Sequence, residues 1–130
     1  MEYTTVGKHD IADLWGCSFS LLDDEQALTT YLKEAVSAAG ATILSLQSHR
    51  FDPQGVTVLA MLSESHMSIH TYPEKGFCGI DCYTCGSSVN SDASISYMVR
   101  CLSPSTVHRK LLKRGSGRIE EAQGVSECTY

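Results

Sequence analysis

No apolar run in this sequence approaches the roughly 20 residues of a membrane-spanning helix, so no helical membrane segment is expected. The opening residues, Met1-Glu2-Tyr3-Thr4-Thr5-Val6-Gly7-Lys8, lack the apolar stretch of a secretory signal. A cytoplasmic location is therefore expected, with its six cysteines (Cys17, Cys78, Cys82, Cys85, Cys101 and Cys128) reduced rather than paired. Basic residues are scarce: 10 lysines and arginines stand against 15 acidic residues, a net charge of −5. A nucleic-acid partner would need a basic face, and none is predicted. The single basic cluster, from His108-Arg109-Lys110 to Lys113-Arg114, reads as a solvated strand. Internal repeats and low-complexity tracts are also missing.

What is present is an ordinary globular balance, 42% apolar and 19% charged over 130 residues, enough for one domain spanning 1–130. A chain this size buries roughly two-thirds of its unfolded surface, sufficient for one core but not for a deep private cleft. An active site completed at a subunit interface is the expected consequence.

The patterning predicts a two-layer α/β sandwich of the α+β class, an antiparallel sheet with two helices on one face. An early strand runs to about Phe19. Asp23 or Asp24 caps a helix carrying Leu28, Tyr31, Leu32, Ala35, Val36 and Ala39 at helical spacing, closed by Gly40. Strands follow at Ala41 to Phe51, Val56 to Leu62, Met67 to Tyr72 and Phe77 to Tyr83, with Asp52-Pro53-Gln54-Gly55 as a turn. Asn90, Ser91 or Asp92 caps a second helix with Ile95, Met98 and Leu102 on its apolar face. A last strand near Thr106 to Leu112 leads to a polar tail from about 115 to 130, expected to be loose.

Reactive side chains concentrate in two runs, Ser63-Glu64-Ser65-His66-Met67-Ser68-Ile69-His70-Thr71-Tyr72-Pro73-Glu74 and Cys78-Gly79-Ile80-Asp81-Cys82-Tyr83-Thr84-Cys85-Gly86. Serine, histidine and cysteine at close range suit nucleophilic and acid–base chemistry. A zinc module is the rival reading, but no second close pair completes Cys82 and Cys85, and no metal is expected. Cys78 and Cys82 share a strand face and Cys85 lies on the other, so Cys78, Cys82, Cys17 and Cys101 read as small buried hydrophobes. A serine hydrolase would need a G-x-S-x-G elbow, which is missing.

The run Leu62 to Glu74 and the segment Asp81-x-Tyr83-Thr84-Cys85-Gly86 closely resemble the S-adenosylmethionine decarboxylases of bacteria and archaea. The resemblance extends to Leu14-Trp15-Gly16-Cys17, Ser37-Ala38-Ala39-Gly40-Ala41 and His49-Arg50-Phe51 with Pro53 and Gly55, over residues 7 to 115. It implies a self-processing precursor cut between Glu64 and Ser65 into 1–64 and 65–130. The Ser65 hydroxyl would attack the Glu64 carbonyl. β-Elimination of the resulting ester would leave dehydroalanine, whose hydrolysis gives a pyruvoyl group at residue 65. That group forms a Schiff base with the substrate amine and does the work of pyridoxal phosphate. The resemblance assigns His70 as the proton acceptor in processing and Cys85 as the proton donor in turnover. Thr57, where relatives often carry serine, would support processing; His66 receives no role.

Phe51 and Tyr72 align with positions that carry aromatics in relatives and would sandwich adenine, and Glu74 would accept from ribose hydroxyls. The implied product is decarboxylated S-adenosylmethionine, the aminopropyl donor for spermidine, and the implied assembly is a homodimer joined face to face. Arginine or ornithine decarboxylation by the same core is the nearest alternative, and a non-catalytic regulatory homologue a more distant one. On strict alternation Ser65 and His70 would face opposite sides of the sheet, so a turn at the cleavage site is required.

Overall fold

The computed structural model describes residues 4–86, 88–122 and the strand residues 128–129. Strand β1 runs Gly7–Trp15, followed by a one-turn helix α1 at Phe19–Leu22 and the long helix α2 at Glu25–Ala38. Strands β2 (Ile43–Arg50), β3 (Val56–Leu62), β4 (Ser65–Tyr72) and β5 (Phe77–Cys85) then form consecutive hairpins. Helix α3 (Ser91–Leu102) leads to β6 (Thr106–Arg114), and two short strands, β7 (Glu120–Glu121) and β8 (Cys128–Thr129), complete the chain. The sheet is antiparallel throughout, in the order β2-β3-β4-β5-β1-β6-β7, with β8 also pairing with β6.

The α+β sandwich is as the patterning predicts, because the periodicities of 3.6 and 2 select opposite faces of each element. On α2 the buried residues Leu28, Leu32, Ala35 and Val36 line one stripe, and on α3 Ile95, Met98 and Leu102 do the same. They meet the inward residues of the strands, among them Leu14, Val58, Met67, Ile69 and Ile80. Among the described residues the other face of the sheet carries no helix. There Trp15, Leu59, Met61 and Tyr72 are 42–58% exposed, a density of large apolar groups unusual for a solvated surface.

Several local expectations give way to tertiary context. β1 stops at Trp15 because Gly16 turns the chain at φ 81°, and Ser18 then caps α1 by accepting from the Leu21 N–H. Asp24 alone caps α2, accepting from Ala27 at 3.0 Å. Asp23 instead holds the Asp52–Gly55 turn: it accepts from Arg50 Nη2 at 2.7 Å and from the Gly55 N–H at 2.9 Å. Gly55 sits at φ 107°, a conformation that side chains at Cβ disfavour. Within the stretch from 115 to 130, the described residues Glu120–Glu121 and Cys128–Thr129 form β7 and β8 and pair with β6. Cys101 is only partly buried, unlike Cys17, Cys78 and Cys82.

The largest departure concerns the basic cluster. Arg109 does not lie in solvent; its guanidinium forks onto Asp10, with Nε–Oδ1 at 2.9 Å and Nη2–Oδ2 at 2.7 Å, and also reaches Asp92. Asp10 is 1% exposed and takes a further hydrogen bond from Ser91 Oγ at the start of α3. β6 is thereby tied to β1 and to α3 at one buried point. Burial opposes the charge on Arg109, but the bonds from Asp10 outweigh it and raise the arginine's pKa. Arg109→Met strands a buried carboxylate and is expected to cost about 3–5 kcal/mol. Urea unfolding of the uncut Ser65→Ala chain, with and without Arg109→Met, measures it.

Candidate active site

The hairpin between β3 and β4 is as tight as a hairpin can be. Leu62 pairs with Ser65, leaving only Ser63 and Glu64 in the turn. The Ser63 N–H donates to the Thr42 carbonyl at 3.0 Å, and Thr42 returns its own N–H to Glu64 Oε1 at 3.2 Å. Hydrogen bonds from Ser63 first and from the Thr42 backbone second hold the Glu64 carboxyl below its usual range. The turn is thus pinned from both sides.

Ser65 opens β4 at φ 148°. Among the described residues only Ser103 shares a positive φ without being glycine. Such a conformation costs of order 1–3 kcal/mol and persists only where surrounding structure enforces it. Across the ladder from Ser65 stands Thr84, whose Oγ1 is buried without a hydrogen-bond partner among the described residues. An orphaned buried hydroxyl carries a penalty of its own, about 1–3 kcal/mol. Two local costs therefore meet on one rung, at the peptide bond between Glu64 and Ser65.

The carbonyl of that bond is not free. The backbone N–H of Cys85 donates to the Glu64 oxygen at 3.1 Å, a consequence of β4 and β5 being paired in register. A donor aimed at a carbonyl oxygen is the arrangement that stabilises a tetrahedral oxyanion. The Cys85 side chain is partly exposed, whereas Cys82 is buried and burial pushes its thiol up to about 11. Among the thiols of β5, Cys85 is the one left accessible.

Alternation from His66 onward puts His66, Ser68, His70 and Tyr72 on the face without helices. His70 stands directly opposite Thr57 of β3, and its Nδ1 is in a short hydrogen bond with Thr57 Oγ1. Its ring lies between two aromatics, 4.8 Å from Tyr72 and 5.9 Å from Phe51, both measured between centroids. The aromatic row continues from Tyr72 through Phe77 to Trp15, with centroid separations of 5.8 and 4.4 Å. Phe51 and Tyr72 are about 40% exposed, so part of each ring is accessible to a ligand. Glu74 follows in a one-turn 3₁₀ helix and accepts from Gln54 Nε2 at 3.2 Å.

A second group on the same face goes unnoticed in the sequence. Asp81 on β5 receives His9 Nε2 at 2.6 Å and His66 Nε2 at 3.3 Å on one oxygen, and a short bond from Ser68 Oγ on the other. Burial alone would raise its pKa, but the bonds from Ser68 and His9 outweigh that and hold it below the usual carboxylate range. Arg114 Nη1 lies 3.2 Å from His9 Nδ1, and its guanidinium covers the Tyr83 ring at 4.8 Å. The three ligand-type atoms of His9, His66 and Asp81 lie within 4.8 Å of one another. They form a hydrogen-bond chain, however: Arg114 donates to Nδ1 of His9, so the neutral ring carries its proton on Nε2 and spends it on Asp81. Asp81, His66, Ser68 and Tyr83 belong to the recognisable runs; His9 and Arg114 come from β1 and β6, whose adjacency no local pattern announces.

The S-adenosylmethionine decarboxylase family model matches residues 8–115. An S-adenosylmethionine decarboxylase proenzyme 2 of Bacillus cereus is 56% identical over 119 residues, covering 92% of this chain and 97% of that one. A proenzyme of Methanococcus maripaludis is 42% identical over 118 residues, covering 91% and 97% respectively. The crystal structure of the Aquifex aeolicus adenosylmethionine decarboxylase superposes with a TM-score of 0.79 at 32% identity, over 95% of this chain and 100% of that one. A pinned, strained Glu64–Ser65 hairpin, set among these relatives, leads to one assignment: the chain belongs to the S-adenosylmethionine decarboxylase family, in its bacterial and archaeal class.

Proposed function

We propose that this chain cuts itself between Glu64 and Ser65 and, as the processed pair 1–64 and 65–130, decarboxylates S-adenosylmethionine for polyamine synthesis. The observation that carries this reading is the Glu64–Ser65 peptide itself, with Ser65 at φ 148° and the Glu64 oxygen on the Cys85 N–H. The family supports the substrate, and the partly exposed rings of Phe51 and Tyr72 suit its adenine.

The pyruvoyl group arises from Ser65, so the fit of this cofactor is a question of whether the serine can reach its own upstream carbonyl. The strained hairpin and the polarised Glu64 carbonyl answer it favourably. Once formed, the group supplies an electron sink for the charge left by departing carbon dioxide. Ser65 acts first as nucleophile. His70, steadied by Thr57, removes the Ser65 α-proton during elimination. Cys85 delivers a proton from its thiol during turnover. Phe51 and Tyr72 hold the adenine, and Glu74 accepts from the ribose hydroxyls.

The working assembly in this reading is a cytoplasmic homodimer. Trp15, Leu59, Met61 and Tyr72 on the uncovered sheet face supply its apolar contact, and the active site lies on that face. No described helix is long and apolar enough to cross a membrane.

A denaturing intact-mass spectrum tests the processing, and assay of carbon dioxide release from S-adenosylmethionine, arginine and ornithine tests the substrate. Two chains are expected, the C-terminal one beginning with pyruvoyl and lighter than a chain beginning with serine. Release is expected from S-adenosylmethionine alone. An uncut chain, or release from arginine or ornithine only, overturns the reading.

A further inference from the structure

The imidazole nearest the Ser65 hydroxyl is that of His66, not His70. Ser65 Oγ lies 3.4 Å from His66 Nδ1, while the opposite ring nitrogen, Nε2, points at Asp81 Oδ2 at 3.3 Å. Asp81 only accepts when ionised, so Nε2 carries the ring proton and Nδ1 presents a lone pair to the serine. From the geometry we infer that His66 is the general base of the first processing step and that Asp81 is its positioning residue. This inference rests on the self-cleavage proposed above.

The arrangement has the logic of a serine–histidine–aspartate triad, here within one hairpin and its neighbour strand. Asp81 is itself fixed by Ser68 on one oxygen and His9 on the other, and His9 by Arg114. Tyr83 lies beside the His66 ring, at 5.8 Å between centroids. A serine–histidine separation of 3.4 Å is long for a ground-state hydrogen bond, as such contacts often are before the reacting atoms close up. His70, by contrast, has Nδ1 occupied by Thr57 and lies further along β4. The two histidines of the motif thus serve different protons, the hydroxyl proton and the α-proton.

In the step itself, Ser65 Oγ loses its proton to His66 Nδ1 as the Oγ–C bond forms at the Glu64 carbonyl. The oxygen of that carbonyl takes the developing charge against the Cys85 N–H. The C–N bond then breaks, and the same proton passes from His66 to the departing Ser65 nitrogen. Nothing is added or lost: peptide becomes ester. Asp81 stabilises the imidazolium between the two transfers.

The test follows first-order cleavage of freshly purified full-length chains, with hydroxylamine added to open any accumulated ester. His66→Ala is expected to slow cleavage about 100-fold, the lower end for general base catalysis. It should accumulate no hydroxylamine-sensitive ester, and added imidazole should restore its rate in proportion to concentration. His70→Ala should instead accumulate the ester. Asp81→Asn should slow cleavage without responding to imidazole, since its ring is still present. Where His66→Ala fails to fold by circular dichroism, His66→Gln carries the test: slow cleavage without ester supports the inference. Cleavage of the folded variant at the wild-type rate overturns it, as does slow cleavage with ester accumulation or with no imidazole response in the alanine variant. An uncut wild-type chain overturns the processing reading itself, so the two failures are distinguishable.

Discussion

A Ser65→Ala chain is expected to remain a single intact polypeptide and to release no carbon dioxide from S-adenosylmethionine. Alanine removes the only oxygen that can attack the Glu64 carbonyl from the following residue, and with it the atoms from which the pyruvoyl group is made. The whole rate enhancement is therefore lost, at least about a millionfold for enzymes in general. Stability should move the other way or not at all. Ser65 Oγ makes one long contact, to His66 at 3.4 Å, so little bonding energy disappears with it. The strain at φ 148° stays, because it belongs to the backbone and the tight Leu62–Ser65 pairing rather than to the side chain. Denaturing mass spectrometry and urea unfolding of the same preparation read both outcomes. A Ser65→Ala chain that is still cut after Glu64 would contradict the proposed nucleophile.

Cys85→Ala is expected to separate the two activities. The group that Cys85 turns toward the Glu64 carbonyl is its backbone N–H, at 3.1 Å, and alanine keeps it. Cleavage should therefore proceed to completion, giving the same two chains as the wild type. Turnover should fall about 10²–10⁴-fold, the usual value of a positioned proton donor. With the thiol gone, the proton can reach residue 65 instead, leaving alanine at the head of the C-terminal chain and an enzyme that dies during turnover. Mass spectrometry of that chain before and after exposure to substrate detects the change. Normal turnover by Cys85→Ala would remove the thiol from the mechanism, and failure to cleave would show the side chain acting in processing.

Much of this protein is written locally. Helix α2 is readable because Leu28, Leu32, Ala35 and Val36 recur at helical spacing and Gly40 stops the run. The strands between Val56 and Tyr83 are readable because Val56–Leu62 is a short apolar run and the Asp52–Gly55 and Pro73–Gly76 turns carry proline and glycine, although the Ser63–Glu64 turn carries neither. The assignment of Cys78 and Cys82 to one face and Cys85 to the other follows from a period of two and needs no knowledge of the neighbours. What local pattern misjudges are groups whose partners lie far along the chain. Arg109 reads as solvated until β6 is laid beside β1, where Asp10 waits 99 residues away. Asp23 reads as a cap until the Asp52–Gly55 turn arrives to claim it.

The same division runs through the active site. The sequence alone determined that a serine, two histidines and a cysteine occur in runs that will become adjacent strands, because hairpins keep near neighbours near. It did not determine that β1 would insert between β5 and β6, since strand order depends on which edges remain unpaired after the hairpins form. Only the folded sheet brings His9 and Arg114 to Asp81, and so gives His66, a residue without a role in the linear pattern, an oriented ring beside Ser65. Only the folded sheet decides the backbone angle at Ser65 as well, because φ 148° is imposed by pairing on both sides of a two-residue turn. Local chemistry is carried by residue type and spacing; orientation and strain come from contacts between segments that the sequence keeps apart.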